Sequence, residues 1–234
     1  MAVSPLTNCC ITTGNDGEVR LFDYGNKRMF YSRKFATLAE STCVEWLPFS
    51  KKNAGRMIVV GFLDGIVRFL GLDQFSFKLI RAERVHKNPI FKIKANREGN
   101  IVAVCDTQGS IFLLDLHASQ LDNITPYCLF ETGFKINDMC FDKLGDKLLL
   151  ACNDGKLHEL EVPKMSECTF DQSYLHNPKY RSFTIKMMES QKPKREDLEL
   201  ELLLKKTKGG AVDDVIVDEE WSPEPILNAT YYDS

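Results

Sequence analysis

The sequence has no run of eighteen apolar residues, no Cys-x-x-Cys pair and no G-x-x-x-x-G-K loop. The first absence leaves no stretch long enough to cross a bilayer as a helix. The second removes the usual spacing of a structural zinc site, although the chain holds 8 cysteines and two of them, Cys9 and Cys10, are adjacent. The third, with the lack of a G-x-S-x-G elbow, removes the common nucleotide-binding and acyl-transfer motifs. Coiled-coil heptads are missing too. Histidine is scarce, at His86, His117, His158 and His176. His158-Glu159 begins an H-E-x-x-H pattern, but Val162 stands where the second zinc ligand belongs. No enzyme, bound metal or cofactor is therefore expected. The opening Met-Ala-Val-Ser-Pro has neither a basic nor a long apolar segment, so no secretory signal is expected. Reduced structural cysteines follow, with Cys105, Cys140 and Cys152 buried in strands, and a cytosolic compartment. A net charge of -3 argues against a general polyanion binder.

What the chain does have is strand periodicity. Between residues 57 and 116, short apolar runs alternate with turn pairs such as Asp64-Gly65 and Gln108-Gly109. Such pairs suit a tight hairpin, because they tolerate positive φ. The unit recurs. Thr12 to Asp23, Val60 to Gly71, Val104 to Asp115 and Ala151 to Glu161 are four copies. Their turn glycines, Gly17, Gly65, Gly109 and Gly155, lie 48, 44 and 46 residues apart. A period near that length with strand content is the mark of propeller blades rather than helical solenoids.

Four such copies, with His86 in a turn before a strand and three Asp-Gly hairpins, resemble the WD-repeat β-propellers. The resemblance implies an all-β fold, a propeller segment of about four blades belonging to a larger propeller. In well-preserved repeats a histidine, a Ser/Thr, a hairpin Asp and a Trp form a buried polar chain. Here Phe22, Leu70, Leu114 and Leu160 stand at the Trp position. The hairpin Asp is kept at Asp16, Asp64 and Asp154 but is Gln108 in the repeat with His86, so only the packing of the family carries over.

Residues 1–190 read as the blades, a partial first one and three more. The first blade has strands near 8–13, 18–23 and 28–35, and too few residues precede them for an inner strand. The second has strands near 42–49, 56–61, 66–72 and 75–80. The third has strands near 90–95 and on to Leu116, with an outer strand near 127–132. The fourth opens at 135–142, and its outer strand waits until 182–187 behind a polar insertion at 163–181. Residues 191–224 read as a charged insertion. Residues 225–234 resemble the inner strands at 89–96 and 135–142. They either close a four-bladed ring on the strand at 8–13 or open a fifth blade, and the second is the expectation adopted.

One charge feature stands out. Residues 77–98 hold Lys78, Arg81, Arg84, Lys87, Lys92, Lys94 and Arg97 against Glu83 and Glu98. A basic rim for docking an acidic protein surface is the expected use. More finely, the degenerate blades followed by a long charged insertion resemble the large cilia- and flagella-associated WD-repeat proteins, and in particular a dynein-tethering member. That implies a non-enzymatic protein-interaction scaffold in the cytoplasm and cytoskeleton, at the axoneme of a cilium or flagellum. Tubulin or dynein-associated subunits would be its partners, with no membrane and no nucleic acid. The alternative is a cytoplasmic or nuclear WD-repeat adaptor that recognises a peptide or nucleic acid.

Overall fold

Each repeat folds as a four-stranded antiparallel meander, because its apolar runs are strand-length and its second and third strands are joined by a tight hairpin. The computed structural model describes residues 1–35, 40–48, 54–73, 76–116, 124–168, 175 and 179–184. The chain divides into two compact units, Met1–Phe183 and Thr184–Ser234, and all but the last described residue fall in the first. Blade one holds β1 (Ala2–Val3), β2 (Cys9–Thr13), β3 (Glu18–Asp23) and β4 (Arg28–Lys34). Blade two holds β5 (Ser41–Trp46), β6 (Met57–Phe62), β7 (Ile66–Asp73) and β8 (Ser76–Arg84). Blade three holds β9 (Ile90–Ala95), β10 (Ile101–Asp106), β11 (Ser110–Leu116) and β12 (Ile124–Glu131). Blade four holds β13 (Ile136–Phe141), β14 (Lys147–Cys152), β15 (Leu157–Glu161) and β16 (Tyr180–Phe183).

Three differences from the sequence expectation have plain causes. Blade one does have a first strand: Ala2 pairs with Ile11 and Val3 with Cys10. Two residues suffice because the Ser4 N–H, bonded to the Cys9 carbonyl, turns the chain back at once. The edge of β2 that a closing strand would have used, in the alternative not adopted, is thus occupied over Cys10 and Ile11. Second, the segment after β15 is not a purely polar insertion. A 3-10 turn at Met165–Glu167 leads to Cys168, which is buried in the core with Val162 and Met165 packed beside it. Third, Cys140 lies in β13 but is exposed, because the alternating pleat turns Met139, not Cys140, to the core. The outer strand expected at 182–187 begins two residues earlier, as β16, and residues 185–187, 191–224 and 225–234 lie outside the described residues.

The core lies in seams between successive blades. Ile11, Val19 and Leu21 of blade one meet Val44, Ile58, Val60 and Phe62 of blade two. The opposite face of blade two, with Met57, Val59, Val67 and Phe69, meets Val102, Val104 and Leu114 of blade three. Ala103, Cys105, Ile111 and Leu113, on the other face of blade three, meet Leu148, Leu150 and Leu160 of blade four. Among the described residues there are three such clusters for four sheets. Strands of blades two and three are therefore covered on both faces. That is why Met57-Ile58-Val59-Val60 and Val102-Ala103-Val104-Cys105 read as unbroken apolar runs. Strands β3 and β15 are covered on one face and alternate instead.

Polar stitches cross the same seams. A glycine carbonyl in the middle hairpin of each of the first three blades accepts from residues that lead into the next blade. Ser41 Oγ donates to Gly14 O at 2.8 Å. The Val85 and His86 N–H groups donate to Gly65 O at 3.2 and 3.3 Å. Thr132 Oγ1 donates to Gly109 O at 2.8 Å. At the first strands, β9 reaches both neighbours: Lys94 Nζ lies 3.0 Å from Glu45 of β5, and Lys92 Nζ lies 2.9 Å from Asp138 of β13. These pairs are half-exposed, so each contributes modestly. Lys94→Ala is expected to cost about 0.5–1 kcal/mol of stability, a loss that urea denaturation should detect at low salt and barely at high salt.

Candidate interaction surface

The hairpins between the second and third strands of each blade carry the polar geometry. In blades one, two and four the turn aspartate uses one oxygen to cap the N–H two residues on, at 3.0 Å in all three cases. Its other oxygen takes the side chain four residues on. Asp16 pairs with Arg20, Asp64 holds Arg68 Nη2 at 3.1 Å, and Asp154 holds His158 Nε2 at 2.8 Å. Arg20 is the main cause that holds the Asp16 carboxyl below its usual range. Arg68 also lies over the Phe62 ring, 4.2 Å from its centroid, and is almost fully buried.

Blade three solves the turn differently, and the sequence did not disclose it. Gln108 has no carboxylate, so Asp106 at the end of β10 takes the task. Its Oδ1 accepts from the Gln108 and Ser110 N–H groups, both at 2.9 Å. Its Oδ2 accepts from Asn88 Nδ2 at 2.9 Å and faces His86 Nδ1 at 3.6 Å. His86 Nε2 lies 3.0 Å from Val104 O, and a carbonyl can only accept, so the ring proton sits on Nε2. Nδ1 then carries a lone pair toward the carboxylate, which explains a separation too long for a hydrogen bond. Burial lowers the His86 pKa, against the opposing pull of Val104 O and Asp106. A histidine–aspartate polar centre therefore exists in this blade, contrary to the expectation that only packing carries over. The only signal for it was an aspartate two residues before the vacant turn position.

The seven cations of residues 77–98 run from the last strand of blade two to the turn after the first strand of blade three. Lys78, Arg81 and Arg84 stand on β8, Lys87 in the following loop, Lys92 and Lys94 on β9, and Arg97 in the turn after it. Lys92 and Lys94 are engaged in the inter-blade pairs described above. Arg81 pairs with Glu83, and Arg84 Nη1 donates to Asp64 O at 2.9 Å. Arg84 and Lys87 are exposed and line an open groove of about 510 Å³ between blades two and three, together with Glu83, Asn88, Phe112 and Glu131. The groove mixes both charge signs with an aromatic floor, which suits a polar peptide surface better than a phosphate backbone.

Two of the strand thiols, Cys43 and Cys105, offer little chemistry at neutral pH. Burial pushes Cys43 up to about 11 and Cys105 up to about 12, so both stay protonated. One cluster that the sequence spacing did not flag is Cys152, Asp154 and His158, whose ligand atoms all lie within 4.8 Å of one another.

No known family profile matches the chain. It is similar to cilia- and flagella-associated protein 44 of Mus musculus, with 28% identity over 185 residues. The match covers 71% of this chain, which spans only 10% of that protein. A chain in the crystal structure of the mitotic checkpoint complex matches with a TM-score of 0.55 and 13% identity, over 70% of this chain and 48% of that one. At that identity the likeness is one of fold alone. Four four-stranded antiparallel sheets, with this likeness, make the described part of the chain a segment of WD-repeat β-propeller fold, and the ciliary relative supports a WD-repeat relationship at the same coarse level.

Proposed function

We propose that the chain belongs to a non-enzymatic protein-interaction scaffold of the ciliary or flagellar axoneme, where it helps to anchor or tether dynein. The similarity to a cilia- and flagella-associated protein over most of this chain carries the reading. The fold supports the scaffold part, since stacked blades present rims and grooves made of loops while their strands are used for packing. Tubulin or dynein-associated subunits are the proposed partners. The proposed contact is the groove edge at Arg84 and Lys87, extended by Lys78 and Arg97, which are also exposed. Arg81 pairs with Glu83 on the groove wall, while Lys92 and Lys94 are held in ion pairs between first strands and are the weaker candidates for contact.

The test is co-sedimentation of the purified chain with axonemal or microtubule fractions. The wild-type chain should pellet with them at low salt. The double change Arg84→Glu, Lys87→Glu should weaken binding about tenfold or more, with the difference fading as salt rises. A tagged chain in ciliated cells should appear along the axoneme. A nuclear or diffuse signal, with no axonemal pelleting, would favour a cytoplasmic or nuclear adaptor that recognises a peptide or nucleic acid.

A further inference from the structure

We propose that the β14–β15 hairpin of blade four holds a divalent cation of the zinc class, with Cys152, Asp154 and His158 as its protein ligands. The proposal comes from comparing one position across the repeats. The residue four after the hairpin aspartate is Arg20 in blade one and Arg68 in blade two, and an arginine cannot ligate a metal. In blade four it is His158, an imidazole. The residue two before the aspartate is Gly14 in blade one and Phe62 in blade two, but Cys152 in blade four. Both changes fall in the same hairpin, and each supplies a donor that the other two hairpins lack.

The geometry follows the chemistry. The thiol, the carboxylate and the imidazole each offer one atom, and these atoms lie within 4.8 Å of one another. His158 Nε2 and Asp154 Oδ2 are already neighbours at a hydrogen-bond distance of 2.8 Å, and an ion between them would need them to part to roughly 3.3 Å. The imidazole is held in place. It stacks on Phe134 with centroids 4.8 Å apart and 28° between planes, and Tyr180 lies 6.2 Å away. A cavity of about 30 Å³, walled mainly by Phe134, Leu150, Leu160 and Tyr180 with Cys152, His158 and Thr132 at its border, lies beside the thiol and the imidazole. That is room for about one water, the fourth ligand that a three-residue site needs. A set of one sulfur, one nitrogen and one oxygen selects zinc or cobalt over calcium or magnesium.

Binding requires two proton movements. The thiol releases its proton to solvent, and the imidazole proton shifts to Nδ1 so that Nε2 can donate its lone pair. The ion then replaces the hydrogen bond between His158 and Asp154. It pins the end of β14 to β15 where the Arg20 and Arg68 ion pairs pin the hairpins of blades one and two.

Titration of the full chain with Co²⁺ tests this directly, because a thiolate ligand adds a charge-transfer band in the near ultraviolet. The wild-type chain should take up one Co²⁺ with that band, and Zn²⁺ should displace it and raise the melting temperature. His158→Arg restores the pair used in blades one and two, so it should fold as well as the wild type. It should nevertheless lose binding by more than the 10–100-fold that an outer-shell change costs. Cys152→Ser should lose the charge-transfer band. Absence of saturable uptake by the wild-type chain would overturn the site. So would an undiminished band in either variant, which would place the metal on other cysteines.

Discussion

Gly109→Ala is expected to cost at least about 4 kcal/mol, whereas Gly155→Ala costs only about 1–2 kcal/mol. Both glycines occupy the same turn position in their hairpins and both have positive φ, +92° and +75°. The backbone penalty for an L side chain is therefore shared. What differs is what lies outside. A Cβ on Gly109 would sit 1.8 Å from the carbonyl oxygen of Phe134, in the chain leading to β13. A Cβ on Gly155 would meet nothing within 4 Å among the described residues. Gly65 belongs with Gly109, since its added Cβ would lie 2.1 Å from His86 O. The contact is with backbone in both cases, so no rotamer change relieves it. Urea denaturation of the three alanine variants separates the two costs. Equal losses at positions 109 and 155 would mean that the blade seam does not press on the turn as described.

Asp106→Ala is expected to be the most damaging of the surface-proximal polar changes, at about 3–5 kcal/mol. Its carboxylate caps two backbone N–H groups, holds Asn88 and faces His86, and it is only 3% exposed. Removing it leaves buried donors without partners and frees the loop that joins blades two and three. Asp16→Ala is the control. It caps the same kind of turn, but its carboxylate is exposed and its ion pair is screened by solvent, so its loss should be much smaller than that of Asp106. Thermal unfolding of the two variants should show a clear gap. A comparable small shift for both would show that the His86–Asp106 centre is not what holds the second seam.

Much of the fold was legible because its signals are local. The period of the turn glycines and the length of the apolar runs fix where strands begin, and most strands fall where the runs do. Even the two-sided burial of blades two and three is written in the unbroken runs of β6 and β10. The misses were relationships between distant residues. Ala2–Val3 is too short to carry any periodicity, and only pairing with Ile11 and Cys10 makes it a strand. Asp106 looks like an ordinary strand-end residue until His86 and Asn88 are brought to it from an inter-blade loop. Lys92 and Lys94 read as a free basic stripe, because Glu45 and Asp138 are more than forty residues away in sequence. The Cys152, Asp154 and His158 spacing matches no common ligand motif, and a hairpin is needed to bring it together.

Each of the three core clusters draws only on consecutive blades, and this has a consequence for how the chain is made. No seam waits for a strand from the far end of the described chain. During synthesis, a blade can pack as soon as the next forty to fifty residues have left the ribosome, given the spacing of the turn glycines. Loop closure stays short at every step, which favours fast docking. The vulnerable species is then the nascent chain caught between blades, with one apolar face formed and its cover not yet translated.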